Sequence, residues 1–470
     1  MKFPQKGTGR SMVMAELESA RKDDVRWRDG RAFSLVFYPG HEIYEVVKEA
    51  YGLFFSENGL NPSAFPALRK FEQETVSMMA DLMCDPSACG NLTSGGTESI
   101  LLAVYSAREY ALKHKPNLTQ PEILVPTTVH PAFDKAAHYF GLKIKHIPVG
   151  PDYRADVAAT AAAVTDQTIL IVGSAPQYPH GVVDPIRELS SIALSHGILF
   201  HTDACVGGMI LPFFRRLGQP IPEFSFELPG VTSISIDLHK YGYAAKGASV
   251  VLYRNRSQRR GQFFVQTTWP GGIYGSPGIL GTRPGGAIAA AWAVIKHLGE
   301  DGFMGLAKSV LQSTNYIRDA IGSIPGLKIL GQPHASVLAL ASDELDIYQI
   351  GDELAVLGWH LDKQQDPPSL HLTISYAHEM SREAFIKDLR ACTEKVRGSI
   401  ASRWASFQTA AARALSKVLP ISAIRFLSRL ASPGGKRQAA MYGMIGSLPV
   451  QGEVDELVLD FLDRLYSPEK

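Results

Sequence analysis

The sequence is poor in cysteine and in long apolar runs. Its 470 residues include four cysteines, with no Cys-x-x-Cys pair, which argues against a disulfide framework or a metal site and favours a reducing, cytoplasmic location. No apolar stretch reaches the length of a membrane-spanning helix. The first 30 residues are charged and lack the apolar segment of a signal peptide. We therefore expect neither metal ligands nor a transmembrane segment nor a signal peptide.

Charge and composition exclude some classes of partner. Lysine and arginine number 47 against 46 acidic residues, a net charge of +1, and no dense basic patch is interleaved with aromatic residues. We therefore expect no nucleic-acid partner. With 45% hydrophobic and 20% charged residues, a chain of this length can bury one large core and a smaller one.

Short apolar segments alternate with amphipathic ones through the middle of the chain, which is typical of an α/β fold with a mostly parallel sheet. Ligands of such sheets bind at the carboxyl ends of the strands. The predicted strands are 123–126, 168–172, 198–202, 232–236 and 249–253, followed by shorter ones at 326–330, 335–341 and 369–375. The predicted helices include 66–83, 185–196, 285–298, 346–357 and 382–397. The predicted domains are an N-terminal arm (1–60), a large domain (61–300) and a smaller α+β C-terminal domain (301–470).

The most informative motif follows the strand predicted at 232–236. It reads Ser-Ile-Asp-Leu-His-Lys-Tyr-Gly-Tyr-Ala-Ala-Lys-Gly over residues 235–247, with lysines at 240 and 246. A lysine at a strand end is most often simply solvated. The same position also allows an amine to reach a buried aldehyde and form a Schiff base. Lys240 is therefore a candidate cofactor-binding lysine, provided that other segments agree.

Three upstream segments agree with a site for pyridoxal 5′-phosphate. Asp203 ends a strand and precedes small residues, where a carboxylate would keep a pyridine nitrogen protonated. A helix start with free N–H groups and hydroxyls suits a phosphate; its residues are Ser94, Gly95, Gly96 and Thr97. His130 follows another strand, where an imidazole can stack on a cofactor ring. Taken alone, Asp203 and the 94–97 segment are better explained as helix or turn caps, and a capping role explains His130 as well as a cofactor role does. Together with Lys240, all three segments favour a cofactor site.

In this order the four segments resemble the sphingosine-1-phosphate lyase family. The resemblance is carried by residues 93–99, 126–130, 201–205 and 239–247, and it extends to 173–185, 271–286 and 441–444. It covers the chain from about Tyr38 onward. The strand–His-Lys and Asp-Ala motifs are shared with decarboxylases. The second lysine and the Gly-Thr-Arg-Pro-Gly-Gly run at 281–286 indicate the lyases.

The resemblance implies a fold type I enzyme of the group II decarboxylase-like branch, with pyridoxal 5′-phosphate on Lys240. It implies retro-aldol cleavage of the C2–C3 bond of sphingosine 1-phosphate to a fatty aldehyde and phosphoethanolamine. Lys246, Tyr178 and Tyr38 would handle protons and contact the substrate phosphate. The implied cofactor contacts are Ser94, Gly95, Gly96, Thr97, His130, Ser174, Asp203, His239, Lys240 and Thr282. The implied substrate contacts are Tyr38, Asn61, His130, Tyr178, Lys246 and Thr282.

Family members also imply a homodimer with shared active sites, because Thr282 would lie in a loop contributed by the other subunit. Eukaryotic members carry an N-terminal membrane anchor, which this chain does not show, so we expect a soluble form of the bacterial type. Two positions depart from the family. Asn61 stands where a histidine associated with phosphate binding is usual, and Ala245 replaces a proline.

One basic segment has two interpretations. From Lys395 to Gly452 there are nine lysines or arginines and no acidic residue, with apolar residues between them. The simpler interpretation is a surface helical hairpin whose apolar face packs on the domain. The more specific interpretation is a peripheral contact with anionic membranes through 395–437, which would bring the enzyme to a lipid substrate.

Two other functions use the same residues. An L-amino-acid decarboxylase would employ Lys240 and Asp203 in the same way but usually lacks the second lysine at this spacing. A non-catalytic membrane-surface protein of the same fold would need neither residue. Retention of both therefore argues against the non-catalytic alternative.

Overall fold

The computed structural model describes residues 3–398 and 451–467. The helices are α1 (Arg10–Ala20), α2 (His41–Leu53), α3 (Pro66–Leu82), α4 (Gly96–His114), α5 (Ala132–Phe140), α6 (Val157–Ala163), α7 (Ile186–Ser195), α8 (Leu211–Arg216), α9 (Arg256–Arg259), α10 (Gly285–Gly322), α11 (Ile347–Val356), α12 (Arg382–Gly398) and α13 (Gln451–Tyr466). Within α10 the helical backbone is interrupted at Gly299, whose φ is +57°.

A seven-stranded sheet forms the centre of the molecule. Its strands are β1 (Cys89–Thr93), β2 (Glu122–Pro126), β3 (Lys143–Ile147), β4 (Thr168–Ser174), β5 (Leu199–Asp203), β6 (Ser233–Ile236) and β7 (Ser249–Tyr253). The order is β1-β7-β6-β5-β4-β2-β3. Strand β7 runs antiparallel to both of its neighbours, and β2 to β6 pair in parallel. The carboxyl ends of the parallel strands therefore meet at one edge, as the sequence predicts.

A smaller antiparallel sheet follows in the C-terminal half. It consists of β10 (Lys328–Ile329), β11 (Val337–Ala341), β12 (Asp362–Gln365) and β13 (Pro368–Thr373), in the order β10-β11-β13-β12. Its apolar face packs against α11 and α12 in a second hydrophobic core, which also takes in Phe33 from the N-terminal arm. Between the two sheets in sequence lies a two-stranded hairpin, β8 (Phe264–Gln266) and β9 (Tyr274–Ser276).

The predicted mostly parallel α/β fold with a smaller C-terminal part is confirmed. Strands β2, β4, β5, β6 and β7 fall within two residues of the predicted segments. Each contains apolar residues and is almost entirely buried, as strands covered on both faces are. The predicted helix at 285–298 is longer, since α10 continues past Gly299. Strands β1, β3 and β12 and the β8–β9 hairpin have no counterpart in the prediction; they are short, and the first two burial patterns are mixed.

The structure can be compared with the predictions about membrane-spanning helices, metal ligands and membrane contact. Among residues 3–398 and 451–467, none of the helices combines the length and apolarity needed to cross a bilayer. The same residues contain no cluster of histidine, cysteine and carboxylate side chains that could hold a metal ion, and all four cysteines are free thiols. The membrane contact predicted for 395–437 lies outside the described residues, apart from the last turn of α12.

Candidate active site

A cleft of about 520 Å³ opens at the carboxyl ends of the parallel strands. Most wall residues come from segments that follow strands, because strand ends at this edge leave their loops facing one space. Ser34, Leu35 and Phe37 come instead from the N-terminal arm, and Thr373 comes from β13. Most residues predicted for the site line this cleft; they are Ser94, Gly95, Gly96, Thr97, His130, Ser174, Tyr178, Asp203, His239, Lys240 and Lys246. The segments that the sequence connects only by motif are therefore brought together in space.

Lys240 lies on the cleft wall and forms an ion pair that the sequence prediction missed. Its Nζ is 2.9 Å from Oδ2 of Asp237, three residues earlier in the same turn. Burial alone would lower the pKa of the Lys240 amine, but the adjacent Asp237 carboxylate outweighs burial and raises that pKa above its ordinary value. Burial opposes ionisation of Asp237 as well, yet the Lys240 charge leaves the pKa of this carboxyl lowered. Both groups are therefore charged near neutral pH.

The start of α4 forms a cradle that fits a phosphate group. Gly95 precedes the helix, and no side chain caps its first turn, so the leading N–H groups and the helix dipole face the cleft. A Cβ at Gly96 would lie 2.8 Å from Oδ2 of Asp237 and 2.9 Å from Sγ of Cys205, and one at Gly95 would lie 3.3 Å from Cε1 of His239. Only glycine leaves this space open.

Asp203 at the end of β5 is held in place by buried neighbours. Its Oδ1 accepts hydrogen bonds from the backbone N–H of Cys205 (3.1 Å) and from the hydroxyl of Ser235 (3.3 Å). Ser235 in turn contacts Nε2 of His201 at 3.1 Å. Burial lowers the pKa of His201 to about 4, so this ring is neutral. The Asp203 side chain is thus held in place at the cleft, where it could face the ring nitrogen of a bound cofactor.

A further polar atom is left for a ligand at the end of β4. The hydroxyl of Ser174 is buried and has no hydrogen-bond partner among the residues that the structure describes, yet the residue lines the cleft. A buried hydroxyl without a partner is costly, and a bound cofactor can satisfy it. Together with the glycine cradle and Asp203, this hydroxyl shows that the residues present fit pyridoxal 5′-phosphate.

Lys246 is the second cation of the cleft. Its Nζ donates to the carbonyl oxygen of His239 at 3.2 Å and lies 5.6 Å from the centre of the Phe37 ring. Desolvation by the walls and repulsion from Lys240 lower the pKa of this amine to about 8, although the side chain stays exposed to the cleft. Burial also lowers the pKa of His239 to about 4. Lys246 is therefore the cleft amine that can lose its proton near physiological pH.

Tyr178 and His130 both line the cleft, but the Tyr178 hydroxyl is engaged in a hydrogen bond within the protein and the His130 ring is exposed. The Tyr178 hydroxyl donates to Oδ2 of Asp362 at 2.9 Å, and burial together with that carboxylate raises the pKa of the phenol well above its ordinary value. The imidazole of His130 is exposed, and its Nδ1 accepts from the backbone N–H of Ala132 at 3.1 Å. Its ring face is thus free to stack on a cofactor, as predicted.

Three predicted residues lie outside this cleft. Tyr38 packs edge-on against Trp27 at 5.6 Å and against Tyr44. Asn61 is exposed and accepts hydrogen bonds from the backbone of its own turn. Thr282 is exposed on the loop before α10, where its hydroxyl accepts from Nδ2 of Asn58 at 3.4 Å. The last two thus belong to adjoining surface loops of the same chain, away from its own Lys240.

The sequence prediction missed Asp237, Asp362 and His371. Asp237 carries a usable signal, because it lies in the same strand-end turn as Lys240 and an acid there is a natural ion-pair partner. Asp362 and His371 carry none, since they reach the site only through strand pairing in the small sheet. Their role depends on contacts between parts of the chain 184 residues apart.

The fold and the site define a pyridoxal 5′-phosphate-dependent enzyme. In agreement, residues 1–339 match the family model of the pyridoxal-dependent decarboxylase conserved domain. The chain is 40% identical to a sphingosine-1-phosphate lyase of Arabidopsis thaliana, over 99% of this chain and 81% of that protein. Its structure aligns with a sphingosine-1-phosphate lyase of Burkholderia pseudomallei with a TM-score of 0.82 and 38% identity, covering 89% of this chain and 98% of the other. The chain belongs to the sphingosine-1-phosphate lyase family.

Similarity extends to decarboxylases at a lower level. The chain is 34% identical to a probable L-aspartate decarboxylase of Pyrococcus furiosus, over 76% of this chain and 94% of that protein.

Proposed function

We propose that the protein cleaves the C2–C3 bond of sphingosine 1-phosphate and related phosphorylated long-chain bases, releasing a fatty aldehyde and phosphoethanolamine. The observation that carries this proposal is the presence of Lys240, Asp203 and a second lysine, Lys246, in one cleft. The first two suit any enzyme of this class. The second lysine provides the additional proton-transfer group that cleavage beside a hydroxyl requires.

The residues that would hold the cofactor occupy three sides of the cleft. Lys240 supplies the amine for its aldehyde, the start of α4 supplies N–H groups for its phosphate, and Asp203 supplies the carboxylate for its ring nitrogen. His130 would lie against the ring and Ser174 would donate to it. When bound, pyridoxal 5′-phosphate supplies an electron-accepting ring that stabilises the charge left by carbon–carbon bond cleavage.

Proton transfer is assigned to Lys246 rather than to Tyr178. Removing the proton of the substrate hydroxyl needs a group with a pKa near the working pH. The pKa of Lys246 is lowered to about 8, whereas that of the Tyr178 phenol is raised by burial and by Asp362. Lys246 therefore fits the part of the base, and Tyr178 fits that of a neutral hydrogen-bonding group.

An assay of sphingosine 1-phosphate cleavage with the purified protein tests the proposal. Sphingosine 1-phosphate is added to the wild type, to Lys240→Ala and to Lys308→Ala, a control at an exposed lysine of α10, and fatty aldehyde is measured. Aldehyde from the wild type and the control but not from Lys240→Ala supports the lyase. Carbon dioxide from aspartate with no aldehyde would instead establish the decarboxylase, the second candidate favoured by the similarity to the archaeal protein.

We also infer a homodimer with shared sites. Thr282 and Asn61 lie outside the cleft of their own chain, which supports a part for them in the site of a second copy. The neighbouring β8–β9 hairpin exposes large apolar side chains, an arrangement that marks an interaction surface; they include Phe264 (54% exposed), Val265 (62%), Trp269 (56%) and Ile273 (82%).

Mixing two inactive variants tests this inference. Lys240→Ala removes the cofactor amine and Thr282→Glu adds a negative charge where the substrate phosphate would bind. If the two residues serve a site from different subunits, mixed dimers regain one intact site, and random mixing restores roughly a quarter of the wild-type activity. If each chain forms a complete site alone, mixing restores nothing.

A further inference from the structure

Tyr178 is connected to the small sheet through a buried carboxylate. Its hydroxyl donates to Oδ2 of Asp362 at 2.9 Å, and its ring stacks on His371 with centroids 3.9 Å apart and planes at 14°. Asp362 opens β12 and His371 lies in β13. The cleft wall on this side is therefore completed by a strand pair from the other half of the molecule.

Strand register explains why these side chains meet. Asp362 and His371 are directly paired in the antiparallel β12–β13 ladder, so their side chains project from the same face. Thr373, two residues beyond, shares that face, and its hydroxyl lies 2.5 Å from Nε2 of His371. The intervening Leu370 and Leu372 point to the opposite face and fill the second core. One face of β13 thus carries leucines of the second core, and the other is polar and includes Thr373, which lines the cleft.

A second contact fixes the turn that carries Tyr178. Nε2 of Gln364, on the same face as Asp362, donates to the carbonyl oxygen of Pro179 at 2.8 Å. With the ring stacked and the adjacent backbone held, the phenol has one orientation. In that orientation its only proton points to Asp362.

The charges around the pair leave Asp362 as the acceptor. Burial opposes its ionisation, but hydrogen bonds from its neighbours outweigh burial and lower the pKa of Asp362 to about 2. Burial lowers the pKa of His371 to about 4, so that ring is neutral. The other titratable groups facing Asp362 or His371 are His360, within 3.5 Å of Asp362 Oδ1, and His180 and Lys240.

We propose that Asp362 is a positioning residue: it accepts the hydrogen bond of the Tyr178 hydroxyl and so leaves the phenol oxygen facing the cleft as a hydrogen-bond acceptor for the substrate. A phenol whose proton is engaged cannot donate to a phosphate, which has only acceptor oxygens. Tyr178 then holds the substrate through a donor other than the hydroxyl beside the cleaved bond, because the single proton of that hydroxyl passes to Lys246. This assignment rests on the proposed function for its substrate, and it replaces phosphate contact as the part played by Tyr178.

A double-mutant cycle on aldehyde release tests the assignment. Asp362→Asn keeps the shape but removes the charge that fixes the phenol proton, so kcat/KM should fall about 10- to 100-fold. If Asp362 acts through Tyr178, the double variant Asp362→Asn/Tyr178→Phe should match Tyr178→Phe alone within about twofold. The matched control is Asp343→Asn, an exposed acid paired with Lys328 beside the same sheet, which should retain wild-type activity. Unchanged kcat/KM in Asp362→Asn, or additive losses in the double variant, would overturn the assignment.

A titration without substrate separates this inference from the proposed function. With ¹³C-labelled tyrosine, the Tyr178 signal is identified by its loss in Tyr178→Phe, and its titration is followed by NMR. In the wild type it should stay protonated above the pH at which exposed tyrosines ionise, and in Asp362→Asn it should titrate at lower pH. An ordinary titration of Tyr178 in the wild type overturns the assignment even if Asp362→Asn does not fold. Absence of aldehyde from both wild type and Asp343→Asn would refute the proposed substrate and leave the titration to decide on Asp362.

Discussion

Adding a single methyl group at Gly96 should damage the phosphate cradle. The Cβ of Gly96→Ala would lie 2.8 and 2.9 Å from the two carboxylate oxygens of Asp237 and 2.9 Å from Sγ of Cys205, all closer than van der Waals contact. Asp237 cannot withdraw easily, because it is buried and paired with Lys240 at 2.9 Å. Overpacking of this kind costs about 1–3 kcal/mol. The preference of helices for alanine over glycine offsets at most about 1 kcal/mol.

We therefore expect Gly96→Ala to lower the free energy of unfolding of the cofactor-free protein by about 1–2 kcal/mol. It should also weaken cofactor binding by at least about tenfold. The control is Gly305→Ala in α10, where an added Cβ meets nothing within 4 Å and should stabilise by about 0.5–1 kcal/mol. Urea denaturation and titration with pyridoxal 5′-phosphate, followed by absorbance, measure both effects. A Gly96→Ala protein as stable as Gly305→Ala, with wild-type cofactor affinity, would refute the cradle.

Three further predictions concern Lys246 and Asp237 in the cleft and the buried Tyr241 between them in sequence. Because the pKa of Lys246 is lowered to about 8 and its neutral form is the proton acceptor, kcat/KM for aldehyde release should fall as pH drops below 8; Lys246→Arg, charged throughout, should be slow and lack this limb. Asp237→Asn removes the carboxylate that raises the pKa of Lys240, so the cofactor-free variant should take up pyridoxal 5′-phosphate, followed by absorbance, at lower pH than the wild type; an unchanged pH profile would contradict the ion pair. Tyr241→Phe removes the hydroxyl that donates to the carbonyl oxygen of Ile374 at 2.7 Å and should cost about 1–3 kcal/mol in urea denaturation, whereas a neutral effect would show that this buried carbonyl finds another donor.

Prediction from the sequence succeeded where a buried strand leads directly into a polar side chain of the cleft. Lys240 and His130 follow buried strands and Asp203 ends one, and a strand pattern that leads into a polar residue can be recognised without a structure. The parallel arrangement then brings those ends together. This is why Lys240, Asp203 and His130 could be predicted to lie in one cleft, whereas Thr282, predicted beside them, is not among the cleft-lining residues.

The substrate side could not be predicted in the same way. Strand β12 reads Asp-Lys-Gln-Gln and has no apolar period, so nothing in the sequence marks Asp362 as a strand residue or pairs it with His371. The position of Tyr178 was predicted, but its hydrogen-bond partner depends on the register of two short strands. Thr282 and Asn61 show the same limit, because their place relative to a second copy depends on a surface and not on a motif.

Strand β12 lies at the edge of the small sheet, with a ladder partner on one side only. Its side chains can be exchanged without breaking a second set of backbone hydrogen bonds, and the two leucines of β13 that hold the core lie on the other face. Asp362, proposed to position the substrate side of the cleft, thus lies on another face from the leucines of the second core and on another sheet from the residues proposed to hold the cofactor. Strand β12 is therefore a short segment whose cleft-side residues evolution or a protein engineer could replace. Such replacements would change which substrate bond is broken while the cofactor site stays the same.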